Sequence, residues 1–164
     1  MDKRLNPKIS ELIGTHRGNG TLYKTDWSLV WELRGSLKEK EYYYKNIVPL
    51  MISIFKTKFT PKFRSGGKND CFGIQTSKKK VTSFFINYGF NPGRKTNTIK
   101  IPEFIKKSNK KIKLAFIRGY FDTDGCLRFD KNKKGVHNYP KIEFTSASKQ
   151  MIIDLTNLLK KTRL

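Results

Sequence analysis

The apolar residues of this chain recur with helical and strand spacing in turn, from one end to the other. Spacings of three and four residues predict helices over residues 7–18, 37–56, 78–88, 110–123 and 148–161. Strict alternation of apolar and polar side chains predicts hairpins over residues 21–34, 60–76 and 126–146. Helices and antiparallel hairpins therefore follow one another along the chain.

The alternation also predicts which side chains share a face of each hairpin. In the first hairpin Leu29, Trp31 and Leu33 share one face, and Val30, Glu32 and Arg34 share the other. In the second hairpin, which turns at Gly66 and Gly67, the predicted apolar set is Phe63, Phe72 and Ile74. Each hairpin therefore has one face for a core and one polar face. Pro49 predicts a kink in the helix between them.

The order of elements restarts after residue 104, which indicates an internal repeat. Gly20 matches Gly125 with an offset of 105, and Leu33 matches Phe144 with an offset of 111. The later hairpin is therefore longer by six residues. With that offset, the second copy has no equivalent of residues 54–104.

This repeat predicts an α+β fold with antiparallel sheets. Residues 1–104 form one complete αββαββα repeat, and residues 105–164 form a partial second copy. The helix that opens each copy is expected to pack against the other one.

The net charge of the chain indicates which class of partner it binds. Lys and Arg total 35 against 13 Asp and Glu, which gives a net charge of +22. A polyanion such as nucleic acid relieves the self-repulsion of such a fold. A hydrophobic fraction of 37% with 12 Phe excludes a disordered basic tail, and no apolar run approaches the ~18 residues of a membrane span.

The cysteines add a prediction about compartment. Cys71 and Cys126 are too few for a four-thiolate zinc site or a disulfide framework. Two free thiols are typical of a reducing, intracellular compartment. The abundance of Lys, Asn and Ile indicates an AT-rich gene, and we expect archaeal cytoplasm or the matrix of a mitochondrion or chloroplast.

Two segments have the composition of closely packed helices. The segment AFIRGYFDTDG ends at Gly125, and the segment ELIGTHRGNG ends at Gly20. In both, small residues lie four apart, which lets two helices approach along one face. These helix-interface residues are Gly14, Gly18, Gly119 and Thr123.

A carboxylate ends the later of these helices. Asp124 lies at the helix C-terminus, where the helix dipole disfavours negative charge. A divalent cation would relieve this repulsion, and so would a cap on the following turn. The spacing alone leaves both interpretations open.

The segment that ends at Gly125 closely resembles the signature of LAGLIDADG homing endonucleases, and the one that ends at Gly20 resembles a degenerate first copy in two-repeat members. The resemblance covers essentially the whole chain. It implies that an acid at the foot of each motif helix helps to hold a divalent metal, Mg²⁺, over a scissile phosphate. Asp124 occupies the acidic position of the second motif, as catalytic residue and metal ligand. Asn19, a neutral oxygen ligand, occupies that position in the first motif.

The resemblance also implies a saddle of two sheets over nucleic acid. Here the second sheet is truncated, so the first provides most of the predicted contacts. The predicted nucleic-acid-binding residues are Tyr23, Arg34, Lys62, Arg64, Gln75 and Lys78 in the first repeat, and Arg128 and Lys141 in the second.

Two functions of different classes follow. The first is a nucleic-acid-binding protein whose cleavage is impaired or lost because Asn19 replaces one metal-binding acid. Its target would be structured RNA or double-stranded DNA, and it could be a component of a ribonucleoprotein such as a ribosome, beside other proteins. The alternative is an active metal-dependent DNA endonuclease or nickase, which could form a homodimer through the motif helices to pair two copies of Asp124. A non-catalytic transcriptional regulator ranks last.

Overall fold

A computed structural model describes residues 4–64, 70–95 and 98–162. They form two compact units: one contains the described residues of Met1–Gly18 and Thr96–Leu164, and the other contains those of Asn19–Lys95. These units are defined by contacts between residues, whereas the predicted repeats, residues 1–104 and 105–164, are defined by the order of elements. The boundary between the two repeats therefore stays a prediction. The turn predicted at Gly66 and Gly67 lies outside the described residues.

The unit of residues 19–95 contains the sheet of the first repeat. Its main elements are β1 (Gly20–Lys24), β2 (Leu29–Ser36), the single turn α2 (Lys40–Tyr42), α3 (Val48–Phe55), β3 (Lys62–Arg64), β4 (Cys71–Thr76) and α4 (Lys79–Asn87). With α1 (Pro7–Arg17) before them, they complete the order αββαββα. This confirms the complete first repeat.

The other unit contains the two motif helices and the second hairpin. Besides α1, its elements are α5 (Glu103–Lys106), α6 (Lys110–Asp124), β5 (Gly125–Lys131), β6 (His137–Phe144) and α7 (Lys149–Thr162). The order from α6 to α7 repeats the order from α1 to the helix after β2, so the partial second copy is confirmed as well.

The four strands of residues 19–95 form an antiparallel sheet in the order β1-β2-β4-β3. Leu22 pairs with Trp31, and Leu33 pairs with Ile74, so these apolar side chains share one face. All four are at most 2% exposed. Helix α4 contacts β2, and its Phe85 stacks on Trp31 with ring centroids 5.2 Å apart. Burial of this face supplies the main driving force for the unit.

The structure differs from the sequence prediction in the exposure of Phe63 and in the helix predicted over residues 37–56. Phe63 pairs with Phe72 on the apolar face as predicted, yet it is half exposed because β3 is a three-residue edge strand. The predicted helix over residues 37–56 is a succession of a 3₁₀ turn, α2, a π-helical turn over Tyr43–Ile47, and α3. Pro49 lies in the first turn of α3 and has no N–H for the carbonyl of Lys45, which favours the wider turn.

Helices α1 and α6 pack along their small residues in the same direction. A Cβ built on Gly14 would lie 2.9 Å from the backbone nitrogen of Tyr120, and one on Gly119 would lie 3.0 Å from that of Thr15. The backbones therefore touch where side chains are absent. Ser10 Oγ strengthens the pair by donating to the carbonyl of Ile112 over 2.7 Å.

Each of these helices begins at an asparagine. Asn6 accepts a hydrogen bond from the N–H of Ile9, and Asn109 accepts one from the N–H of Ile112, each over 3.1 Å. Such caps satisfy backbone donors that have no partner inside the helix.

The helices of the described residues are all too short or too polar to span a membrane.

Candidate nucleic-acid interface and metal-binding end

The polar face of the four-stranded sheet gathers most of the predicted binding residues of the first repeat. Directly paired residues of an antiparallel sheet share a face. Glu32 pairs with Gln75, and Gly73 pairs with both Arg34 and Lys62. Alternation along the strands then adds the remaining members. The face consists of Tyr23, Glu32, Arg34, Lys62, Arg64 and Gln75.

Glu32 is the buried centre of this face. It is only 5% exposed, and its Oε1 accepts from Nε of Arg34 over 2.7 Å and from Nη1 of Arg64 over 3.0 Å. The hydrogen bond that Arg34 donates to Glu32 raises the pKa of Arg34. One carboxylate therefore orients two guanidinium groups that come from different strands.

A glycine makes room for this convergence. Gly73 lies on β4 between the strands that carry Arg34 and Arg64, and it has no side chain to block them. A Cβ at this position would lie 3.0 Å from the Cα of Arg34 and closer still to the carbonyl oxygen of Leu33. Only glycine fits so close an approach of the two backbones.

A second polar contact continues the face toward β1. The side-chain amide nitrogen of Gln75 and the hydroxyl of Tyr23 form a hydrogen bond. Gln75 in turn pairs across the sheet with Glu32. The face is therefore a row of neighbouring amide, phenol, carboxylate and guanidinium groups. Groups of these types recognise base edges and phosphates.

Lys78 lies away from this row. It precedes α4, and its Nζ donates to Thr57 Oγ1 over 3.0 Å and to the carbonyl of Lys58 over 2.8 Å. The ammonium also lies 5.1 Å from the ring centre of Phe59. Through these hydrogen bonds Lys78 links the loop before β3 to the start of α4. Its ammonium group is therefore engaged there and not on the polar face around Glu32.

Arg128 and Lys141 lie on the polar face of the β5–β6 hairpin, directly across from one another. Arg128 pairs with Glu143 over 2.7 Å, and Lys141 pairs with Asp130. Two basic side chains thus meet two acidic ones. This hairpin face is electrically balanced, whereas the face around Glu32 carries three basic groups and one acid.

Asp124 is the last residue of α6. Its carbonyl oxygen accepts from the N–H of Thr145 over 3.1 Å, which fixes the turn into the hairpin. Its carboxylate faces Gly18 of α1: a Cβ built on Gly18 would lie 3.1 Å from Oδ2 and 2.7 Å from the Cβ of Thr123. The side chains of Thr123 and Asp124 occupy the place that a side chain at position 18 would fill, and the Asp124 carboxylate is an oxygen ligand of the kind that Mg²⁺ prefers.

Tyr120 supports the same end of α6. Its ring is fully buried, and its hydroxyl donates to the carbonyl of Thr145 over 3.2 Å. Burial, above all, raises the pKa of Tyr120 to about 12, and the negative charge of Asp124 adds to this effect. The phenol is thus neutral at physiological pH and can donate a hydrogen bond beside the carboxylate.

The first motif ends with different chemistry. Asn19 is exposed and directly follows the C-cap of α1. By the offset of 105 it matches Asp124, and Arg17 matches Asp122. Burial lowers the pKa of Arg17 to about 10, so the group is still cationic at neutral pH. A cation and a neutral amide therefore replace two acids. Within the described residues, no three His, Cys, Asp or Glu are grouped to hold a metal.

Several residues of these sites were not predicted as site residues. Alternation placed Glu32 on the polar face but gave no sign that two arginines converge on it. The roles of Gly73 and Tyr120 depend on neighbours distant in sequence. Arg17 could have been found from the sequence, because the repeat offset aligns it with Asp122.

Comparison with known sequences agrees with the motif. A family profile described as LAGLIDADG-like domain matches residues 111–163. Ribonucleoside-diphosphate reductase NrdEB subunit alpha of Bacillus subtilis is 35% identical over 162 residues, 93% of this chain and 14% of that protein. The probable translation initiation factor IF-2 of Methanocaldococcus jannaschii is 35% identical over 74 residues, 45% of this chain and 6% of that protein. The chain thus spans about one seventh, or less, of these relatives.

Comparison with solved structures agrees with the fold. The homing endonuclease I-DmoI in complex with DNA and Mn aligns with 94% of this chain and 77% of its own, at a TM-score of 0.56 and 18% identity. The homing endonuclease I-WcaI bound to its DNA recognition sequence aligns with 98% of this chain and 69% of its own, at a TM-score of 0.56 and 16% identity. These likenesses show that the fold is shared.

Proposed function

We propose that this chain, a member of the LAGLIDADG family, is a DNA-binding protein of the homing-endonuclease type whose cleavage activity is impaired or lost. Its substrate would be a duplex site, and the polar face around Glu32 would contact it. The observation that carries the proposal is this face, on which Arg34, Lys62 and Arg64 lie together on one sheet.

The distribution of charge supports one main contact surface. A sheet face with an excess of basic groups attracts phosphates by releasing counterions, and its amide and guanidinium groups can address base edges. On the β5–β6 hairpin, Arg128 and Lys141 form ion pairs with Glu143 and Asp130. We therefore assign most of the recognition to the complete first repeat and a smaller part to the second.

The loss of cleavage follows from the end of the first motif. A carboxylate can balance the charge of a bound cation, and an amide cannot. Asn19 therefore gives a weaker ligand than the acid that the family uses. Arg17 makes the same end more positive, which further disfavours a cation there.

Asp124, whose carboxylate lies at the end of α6 beside Gly18, is the residue that would hold a divalent ion. When bound, Mg²⁺ activates water and stabilises a leaving oxygen in phosphodiester hydrolysis. One carboxylate of two is thus retained, and the second candidate function, slow nicking of one strand, rests on it.

Other proposals from the sequence carry less support. The small-residue faces of α1 and α6 already fill one another within one chain, so a homodimer would need another surface. A reducing, intracellular compartment stays a prediction from the two cysteines, Cys71 and Cys126. A role in a ribonucleoprotein stays a prediction from the charge of the chain.

The proposal is tested by selection and cleavage together. Duplexes of randomised sequence are selected for binding to the chain, and the enriched site is incubated with excess protein and Mg²⁺. We expect one enriched site, little double-strand cleavage, and at most slow nicking that Asp124→Ala abolishes. Efficient double-strand cleavage would contradict the loss of activity, and failure to enrich any site would contradict the binding function.

A further inference from the structure

The contacts of Glu32 leave each arginine with a usable pair of donors. Arg34 binds Glu32 through Nε, a contact that does not use its two terminal nitrogens. Arg64 binds through Nη1, a contact that does not use Nε and Nη2 on the opposite side of its guanidinium. Each remaining pair has the geometry that binds O6 and N7 of guanine together.

The two guanidinium groups are also accessible while their anchor is not. The side chain of Glu32 is 7% exposed, whereas those of Arg34 and Arg64 are 51% and 38% exposed. The buried carboxylate of Glu32 restrains the rotation of both half-exposed guanidinium groups. Restraint before binding lowers the entropy cost of forming two hydrogen bonds to one base.

We propose that Glu32 is a positioning residue that holds Arg34 and Arg64 ready to recognise two guanines in the major groove of the bound DNA. This inference rests on the proposed function and adds the bases that the sheet would select. A lysine at either arginine position would keep the positive charge but lose the planar pair of N–H donors that binds one base at two atoms.

A competing explanation is that the three residues form an ion network that only stabilises the sheet. Such a network would affect folding without affecting which base is preferred. The two explanations therefore differ in base discrimination, and overall affinity alone does not separate them. The test has to measure preference at single base positions.

The experiment compares the duplex sites that the wild-type chain and the variants E32Q, R34K and R64K select from one randomised library at one salt concentration. We expect two guanine positions in the wild-type site, of which R34K loses one and R64K the other. E32Q should weaken the preference for guanine over adenine at both positions by about 10-fold or more, and leave the other positions unchanged. Its affinity for unrelated duplex should not fall, because one negative charge is removed.

Two controls keep the test decisive. Thermal unfolding shows whether E32Q folds; if it does not, E32D, which keeps the charge but withdraws the carboxylate by one methylene, should weaken the same two positions. If the glutamate variant tested selects both guanines as strongly as the wild type, the positioning role is wrong. If neither lysine variant changes the site, guanine recognition by these arginines is wrong. A wild-type chain that selects no site would instead contradict the proposed function.

Discussion

Trp31 and Ile142 occupy equivalent positions of the two repeats, yet Trp31 is completely buried and Ile142 is 66% exposed. Trp31 stacks on Phe85 of α4. The β5–β6 hairpin has no counterpart of α4 among the described residues. Leu127 and Phe129 lie on the same apolar face as Ile142 and are also half exposed. The same pattern of side chains therefore gives a core in one repeat and an uncovered face in the other.

This difference predicts unequal effects of one substitution at matched positions. Leu22 is 2% exposed and Leu127, its equivalent by the offset of 105, is 53% exposed. Leu22→Ala should lower the free energy of unfolding by about 2–5 kcal/mol, because it leaves a cavity in a packed core. Leu127→Ala should lower it by less than about 1 kcal/mol. Urea denaturation of both variants checks this, and equal losses would show that the second face is covered in solution.

The close approach of α1 and α6 predicts a graded effect of added methyl groups. Gly119→Ala would place Cβ against the backbone of α1, which cannot move without separating the helices. Gly18→Ala meets mainly the side chain of Thr123, which can rotate. We expect a loss of about 1–3 kcal/mol or more at Gly119 and a smaller loss at Gly18. Thermal unfolding distinguishes them, and a larger loss at Gly18 would contradict this packing.

The end of the first motif predicts a gain of function. Asn19→Asp restores an acid at the position that matches Asp124. We expect Mg²⁺-dependent cleavage of the selected site to rise about 10-fold or more over the wild type, within the range attributed to a single catalytic group. The double variant N19D/D124A should lose this gain. Unchanged cleavage by N19D would show that another feature, such as Arg17, limits the chemistry.

The buried phenol of Tyr120 predicts a dependence of stability on alkaline pH. Its pKa is about 12 in the folded chain and about 10 when exposed, so above pH 10 the unfolded state binds fewer protons. The stability that the neutral phenol contributes is complete below pH 10 and is lost as the pH rises to 12. Tyr120→Phe should therefore show a shallower loss of unfolding free energy across this window, by on the order of 2 kcal/mol. Parallel curves for both proteins would contradict the shift.

Much of the architecture could be predicted from the sequence because it depends on local periodicity. Alternation identified the polar face of the first sheet, and the four-residue spacing of Gly14 and Gly18 predicted a close helix pair. The repeat offset predicted the partial second copy. These features require only which residues share a face.

The rest depends on pairings between distant segments. The convergence of Arg34 and Arg64 on Glu32 needs the register of three strands and the absence of a side chain at Gly73. The engagement of Lys78 by Thr57 and Lys58 needs the path of the loop. A basic residue in a sequence shows charge, but its remaining hydrogen-bonding capacity is visible only once its neighbours are placed.

Under the proposed function, the chain binds one specific duplex of DNA. The most direct measurement is the fluorescence anisotropy of the selected duplex at near-physiological salt, with scrambled DNA and an RNA duplex of the same sequence as competitors. We expect binding to the selected DNA about 10³-fold tighter than to scrambled DNA, and no comparable competition by RNA. Equal affinity for selected and scrambled DNA, or tighter binding of the RNA, would contradict the claim.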